Sequence, residues 1–143
     1  MPILAIYPFT PDPKGVPKAV VPIKIINPYT NASLFGIALL DTGASCCVFP
    51  SSIPQFTGHN LKGAGVQCKI ITGVGAEPVN TWCHTFEIEL LNANRKTIVW
   101  KSDPTLIHCL DYPNAPILIG VNNFLHQFSI TFNYRKQEVI ISQ

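Results

Sequence analysis

Charged residues are scarce in this sequence, in which Asp, Glu, Lys and Arg make up 13% of the 143 residues, against about 25% in an average soluble domain. The formal net charge is +2, and basic residues form no cluster larger than a pair such as that of Arg135 and Lys136. A surface that binds nucleic acid needs a strong basic patch, so we expect no nucleic-acid partner. Hydrophobic residues make up 47% of the chain, which is enough for one domain with a buried core.

Long apolar runs and paired cysteine motifs are also absent. No apolar stretch approaches the roughly 18 residues of a membrane-spanning helix, and prolines interrupt the N-terminal region where a secretory signal needs an unbroken apolar segment. The five cysteines are odd in number and include no C-x-x-C spacing, which favours neither a disulfide framework nor a zinc site. We therefore expect reduced thiols, no metal, no membrane partner and a cytoplasmic location.

Strand and turn patterns dominate what is present. Apolar segments at 19–26 and 33–40 flank a turn-forming stretch and predict a β-hairpin. Further strands are expected at 46–49, 81–91, 97–100 and 116–120, with a C-terminal hairpin at 129–142. Apolar residues at i, i+3, i+4 and i+7 predict one short helix at 121–128. The sequence thus predicts an all-β, single-domain fold at 19–143, preceded by a proline-rich extended arm at 1–18.

One carboxylate stands out, because Asp41 lies between two buried-looking strands in the segment ALLDTGASCCVF, residues 38–49. An isolated charge in a dry interior is costly. An aspartate beside Gly43 could simply cap a turn. A carboxylate held rigidly at a strand end is also how a protein obtains a catalytic group. Both interpretations remain open for Asp41 alone.

Amide hydrolysis by acid–base chemistry requires one group to accept a proton and another to donate one. Asp12 and Asp103 precede prolines in loops, and Glu87 and Glu89 lie on the polar face of an alternating strand. None of the other acidic residues of the chain repeats the D-T-G context of Asp41. If Asp41 is catalytic, the second carboxylate must therefore come from another chain.

An ordered set of landmarks resembles the retropepsin-like aspartic proteases of retroviral, retroelement or bacterial type. LLDTGAS is followed by an apolar strand, by the glycine-containing hairpin ITGVGA at 71–76, and by ILIG at 117–120 leading into the predicted helix. The resemblance spans roughly 19–141. It implies a closed, barrel-like sheet with a flap hairpin and one short helix, active as a homodimer that cleaves extended peptides without a cofactor.

Transferred residue by residue, the resemblance implies that Asp41 is catalytic. Thr42, Gly43 and Ala44 would support the active site, and the flap and substrate-binding residues would be Ile71, Thr72, Gly73, Val74 and Gly75. Side chains expected to line the peptide-binding pockets are those of Ile71, Val74, Ile117 and Ile119. For Gly73 and Gly75, an ordinary tight hairpin is the alternative.

Two positions depart from the family pattern. Many retropepsins carry an acidic residue directly after D-T-G-A and an arginine directly after the apolar-apolar-Gly run, whereas Ser45 and Val121 occupy these positions. Because both partners of the ion pair are absent together, no unpaired buried charge results. Two functions therefore remain open: a homodimeric aspartic endopeptidase, and a catalytically inactive peptide-binding or dimerisation module with the same fold.

Overall fold

The structure is a computed structural model that describes residues 1–72 and 77–143. It is all-β, as predicted. Its strands are β1 (Ile3–Pro8), β2 (Thr10–Pro11), β3 (Pro17–Lys18), β4 (Val20–Ile26), β5 (Ser33–Leu40), β6 (Val48–Phe49), β7 (Cys68–Ile71), β8 (Val79–Leu91), β9 (Ile98–Lys101), β10 (Thr105–Leu110), β11 (Ile117–Ile119), β12 (Ser129–Asn133) and β13 (Glu138–Ser142). The helices are α1 (Ser52–Thr57) and a 3-10 helix at Leu125–Gln127.

Six strands form a closed barrel. They follow the order β10-β6-β11-β5-β4-β8, and pairing between β8 and β10 closes the ring. Most neighbours are antiparallel, but β11 runs parallel to β5 and β6 runs parallel to β10. Strands β7 and β9 extend the sheet through β8. The closed, barrel-like sheet that the resemblance implied is therefore confirmed.

The barrel interior is filled by alternate side chains of its strands. Ile23 and Ile25 of β4, Phe86 and Ile88 of β8, and Ile107 of β10 are all fully buried. Alternation places every second side chain of a strand on one face of the sheet, and this period-2 pattern predicted β8, whereas β10 was not predicted. Burial of such side chains contributes about 1.5–3 kcal/mol each and fixes the strand registers.

A second sheet joins the two ends of the described chain. Strand β13 lies between β12 and β1, so the expected C-terminal hairpin is confirmed, while β1 belongs to the segment expected to be an extended arm. Tyr7 of β1 is 1% exposed, and its hydroxyl donates a hydrogen bond of 2.6 Å to the Leu91 carbonyl at the end of β8. The N-terminal strand is therefore packed on the barrel.

The helix predicted at 121–128 is wrong in type and length. Residues 121–124 form turns and only Leu125–Gln127 are helical, as a 3-10 helix. Phe124 has non-helical backbone angles, φ −144° and ψ −64°. Its side chain is fully buried, and the centroid of its ring lies 5.1 Å from the centroid of the Trp100 ring. The apolar spacing therefore reflects core packing of an irregular segment. Among the described residues, no helix is long and apolar enough to cross a membrane.

Candidate active site

Asp41 follows directly on the last residue of β5, where the barrel strand gives way to a loop. Its backbone N–H donates to the Ile119 carbonyl of β11 at 3.0 Å, and the N–H of Leu40 donates to the Ala19 carbonyl at 3.0 Å. Two neighbouring segments thus hold the strand end from both sides. The position of Asp41 is set by the barrel and not by the loop alone.

A compact turn orients the carboxylate. The Gly43 N–H donates to Asp41 Oδ1 at 3.0 Å, and the Ala44 N–H donates to the Asp41 carbonyl at 3.1 Å. The side chain of Asp41 is half-buried, while Thr42 and Gly43 are exposed. Within the described chain, Oδ2 accepts no hydrogen bond. The turn therefore restricts the carboxylate through one oxygen and leaves the other available.

Backbone hydrogen bonds join the loop after Asp41 to the segment after β11. The N–H of Val121 donates to the Ala44 carbonyl at 3.0 Å, and the N–H of Asn122 donates to the Ser45 carbonyl at 2.9 Å. These contacts involve Ser45 and Val121, the two positions where the resemblance to retropepsins would place an acidic residue and an arginine. The peptide backbone thus makes a connection here that needs neither charge.

Asn123 is a further supporting residue, which the sequence did not reveal. Its Oδ1 accepts a hydrogen bond of 3.0 Å from the Cys47 N–H, and its Nδ2 donates to the Leu106 carbonyl at 3.1 Å and to Thr105 Oγ1 at 3.2 Å. One side chain therefore ties the loop after Asp41 to β10. The three partners are far away in sequence, and no local motif indicates them.

Two clefts meet at Asp41. The first, of about 350 Å³, is lined by Asp41, Gly43, Ala44, Ser45, Cys46, Val48, Ile71, Thr72 and Leu118. The second, of about 490 Å³, is lined by residues 16–19, 39–42, Phe132 and Tyr134. In the described part of the chain, Asp41 is the only acidic residue that lines either cleft. A general acid–base pair cannot be assembled here from the acids that this chain contributes.

The predicted site residues fall into three groups. Ile71 and Thr72 line the first cleft together with the turn of Asp41, Gly43 and Ala44. Gly73, Val74 and Gly75 lie outside the described residues, so the predicted flap tip is not placed. Thr42 lines the second cleft instead of the first.

The predictions for two pocket residues, Ile117 and Ile119, are wrong, because β11 turns the opposite set of side chains towards the Asp41 cleft. Ile119 is fully buried in the barrel core. Ile117 lines a separate groove beside α1, together with Ile53 and Phe56. Leu118, which lies between them in sequence, is the β11 side chain that faces the Asp41 cleft.

The neighbouring thiols do not have the chemistry of nucleophiles. Burial raises the pKa of Cys47 to about 12, and Cys47 Sγ faces the Gly120 N–H at 3.4 Å. Burial also raises the pKa of Cys46, which lines the first cleft. A nucleophilic cysteine requires a lowered pKa, so Asp41 remains the candidate reactive group of this cleft.

Comparison with known proteins does not assign this chain to a group. No protein-family model matches the sequence, and no curated protein matches it either.

Proposed function

We propose that this protein is an aspartic endopeptidase in which two copies of the chain each contribute Asp41. The observation that carries the proposal is the position of Asp41: a half-buried carboxylate, fixed by its turn, at the junction of two clefts that contain no other described acid. Such a site is chemically incomplete in one chain, and a two-fold axis beside Asp41 supplies an identical carboxylate.

The mechanism follows from placing two carboxylates within a few Å of each other. Two like charges at that distance cannot both be ionised easily, so the pair shares one proton. The ionised Asp41 removes a proton from a bound water, which attacks the peptide carbonyl carbon. The protonated Asp41 of the partner donates to the carbonyl oxygen. Collapse of the tetrahedral intermediate breaks the C–N bond, and the amine leaves with a proton from the dyad.

The two clefts have different roles in this proposal. The first has an apolar wall of Val48, Ile71 and Leu118, which suits apolar side chains of an extended peptide, with backbone pairing to the cleft walls. The second lies on the side of Thr42 and Phe132, and there the partner subunit brings its own Asp41 close. In the proposed dimer, the exposed Thr42 of each chain contacts the partner subunit and supports the two carboxylates.

Peptide-library cleavage at pH 4–6 tests the proposal. We expect cleavage by the wild-type protein and a loss of at least about 100-fold in the Asp41→Asn variant, because the amide cannot take or give the proton. Asp111→Asn is the matched control, since Asp111 forms a surface ion pair with Lys62 at 2.7 Å and lines neither cleft. Equal turnover by wild type and Asp41→Asn, or no turnover by either, would remove the protease proposal. Peptide binding without turnover would leave the inactive module.

Subunit mixing tests the shared site separately. Sedimentation should show a dimer. Adding excess Asp41→Asn protein to the wild type should lower the activity per wild-type subunit, because exchange produces mixed dimers with one carboxylate. If activity stays proportional to the amount of wild-type chain, each chain works alone and the two-fold site is wrong.

A further inference from the structure

Glu89 is a buried carboxylate that lacks one hydrogen-bond donor. It lies on β8 between Lys24 of β4 and Lys101 of β9, and its side chain is 9% exposed. Among the described residues, Oε1 accepts no hydrogen bond. The Lys24 ammonium is 4.0 Å away, which is beyond hydrogen-bond range, and Lys101 instead contacts Glu87 at 3.0 Å. Buried carboxylate oxygens without a donor are unusual in folded proteins.

This carboxylate belongs to the wall of a cleft that is separate from both Asp41 clefts. The cleft has a volume of about 340 Å³, which is in the range of small-ligand sites. Apolar surface comes from side chains that include Phe35 and Ile98, and the remaining charged lining consists of Lys24, Arg95 and Lys96. The lining thus contains one buried acid and three basic side chains, together with apolar surface.

The charge balance defines the ligand. Three cations against one anion repel a purely cationic ligand and favour one that carries a negative group. The Arg95 guanidinium lies 5.7 Å from the centroid of the Phe35 ring, and its fork of donors suits a carboxylate. At the same time, Glu89 Oε1 is enclosed by the protein, so a ligand donor meets the accessible part of the Glu89 carboxylate at the cleft wall. The cleft therefore fits a ligand with an acidic group and an N–H close together, joined to an apolar side chain.

The loop that carries the basic residues is held in place before any ligand arrives. The Asn92 N–H donates to the Thr97 carbonyl at 2.7 Å, and the Arg95 N–H donates to the Asn92 carbonyl at 2.8 Å. Asn94 Oδ1 accepts the Lys96 N–H at 2.9 Å. A loop fixed in this way loses little freedom on binding.

We infer that the Glu89 cleft binds an apolar amino-acid residue with a free α-carboxylate, as found at the C terminus of a peptide or in a free amino acid. The α-carboxylate pairs with Arg95 and Lys96, the α-N–H donates to Glu89, and the apolar side chain covers Phe35 and Ile98. The inference does not depend on Asp41 or on peptidase activity.

Calorimetric titration tests the site with three probes: N-acetyl-Gly-Phe, its C-terminal amide, and free phenylalanine. The free-acid dipeptide should bind at least about 10-fold more tightly than the amide, because only the acid forms a charge-assisted pair with Arg95. Tighter binding of the dipeptide than of phenylalanine identifies a peptide terminus as the ligand. The reverse order identifies a free amino acid.

Variants show whether binding occurs in this cleft. Glu89→Leu and Arg95→Gln should each weaken the binding of the acid at least about 10-fold, whereas Arg135→Gln, an exposed control outside the cleft, should not change it. Arg95 is exposed, so its variant keeps the test valid if Glu89→Leu does not fold. Equal affinity for acid and amide, no binding of the acid at millimolar concentration, or unchanged binding by Arg95→Gln would overturn the inference.

Discussion

The backbone of Gly120 lies so close to the backbone of Cys46 that a β-carbon on Gly120 would overlap the Cys46 carbonyl group. The same β-carbon would lie 2.9 Å from the Ala44 carbonyl oxygen. The glycine is therefore required by a close approach of two backbone segments, those after β5 and β11, and together they form the support of Asp41.

Gly120→Ala should destabilise the fold by at least about 1–3 kcal/mol, because both clashing groups are backbone and cannot rotate away. Urea unfolding measures this change. Gly36→Ala is the matched control: its β-carbon would meet the side-chain Cδ1 of Ile117 at 2.7 Å, and that atom can move. Similar losses in the two variants would contradict the argument from backbone contact.

Asp41→Asn and Asp41→Ala should differ in stability, although the proposed mechanism predicts that both abolish peptidase activity. The asparagine side-chain oxygen can still accept the Gly43 N–H that Asp41 Oδ1 accepts at 3.0 Å, so we expect stability close to that of the wild type. Alanine removes this acceptor and should cost about 0.5–1.5 kcal/mol. Thermal unfolding of the two variants at one pH checks the order. A more stable alanine variant would show that the turn does not depend on the side chain.

Asn123→Ala should lower stability by about 1–3 kcal/mol, because it leaves the Cys47 N–H and the Leu106 carbonyl without their partner. Asn123→Asp keeps the acceptor for the Cys47 N–H but places a second acceptor against the Leu106 carbonyl, so it should also destabilise. If the peptidase is active, both variants should reduce kcat through the displaced loop. Asn122→Ala is a control, since the hydrogen bond from Asn122 is made by its backbone N–H.

The stability of the protein should fall as the pH drops below about 6.5. Burial lowers the pKa of His59, and the neighbouring His84 ring, 4.7 Å away between centroids, lowers it further. His59 Nε2 faces the Thr85 carbonyl at 2.9 Å. The folded state therefore binds fewer protons than the unfolded state, so the free energy of unfolding rises with pH. This contribution is complete above the unfolded pKa of about 6.5 and is lost as the pH falls towards the lowered folded value.

Urea unfolding at pH 7.5, 6.5 and 5.5, in wild type and in His59→Phe, measures this dependence. The phenylalanine keeps the ring contacts to Phe86 and Tyr29 but cannot be protonated, so its stability should vary less with pH. Some dependence should remain, because burial also lowers the pKa of His108. Identical pH slopes in the two proteins would rule out His59 as a source.

Local patterns predicted most of the longer strands because alternation and apolar runs are properties of neighbouring residues, whereas β1 and β10 were not predicted. The hairpin expected at 19–26 and 33–40 matches β4 and β5 within one residue, and Asp41 follows directly. The segment 121–128 shows the limit of such patterns, since helical spacing of apolar residues also fits an irregular turn whose side chains enter the core. There, the fold is decided by long-range contacts such as those of Phe124 with Trp100.

The candidate site was predictable only in part for a related physical reason. The D-T-G-A motif is contiguous, so its turn can be identified from the sequence. The three partners of Asn123 lie 76, 18 and 17 residues away. Glu89 looks like an ordinary polar-face residue of an alternating strand until β4 and β9 are placed beside it. Which β11 side chain faces the Asp41 cleft depends on a three-residue strand, where a shift of one residue exchanges the faces.

The hydrogen bond from Tyr7 to the Leu91 carbonyl has a practical consequence for anyone producing this protein. A purification tag placed before the exposed Met1 leaves that contact untouched. Shortening the chain past Tyr7, by contrast, withdraws an aromatic ring from the interior and uncovers one side of β13 to other strands in solution. Truncation of the proline-rich N-terminal segment past Tyr7 would therefore yield a protein that aggregates more readily.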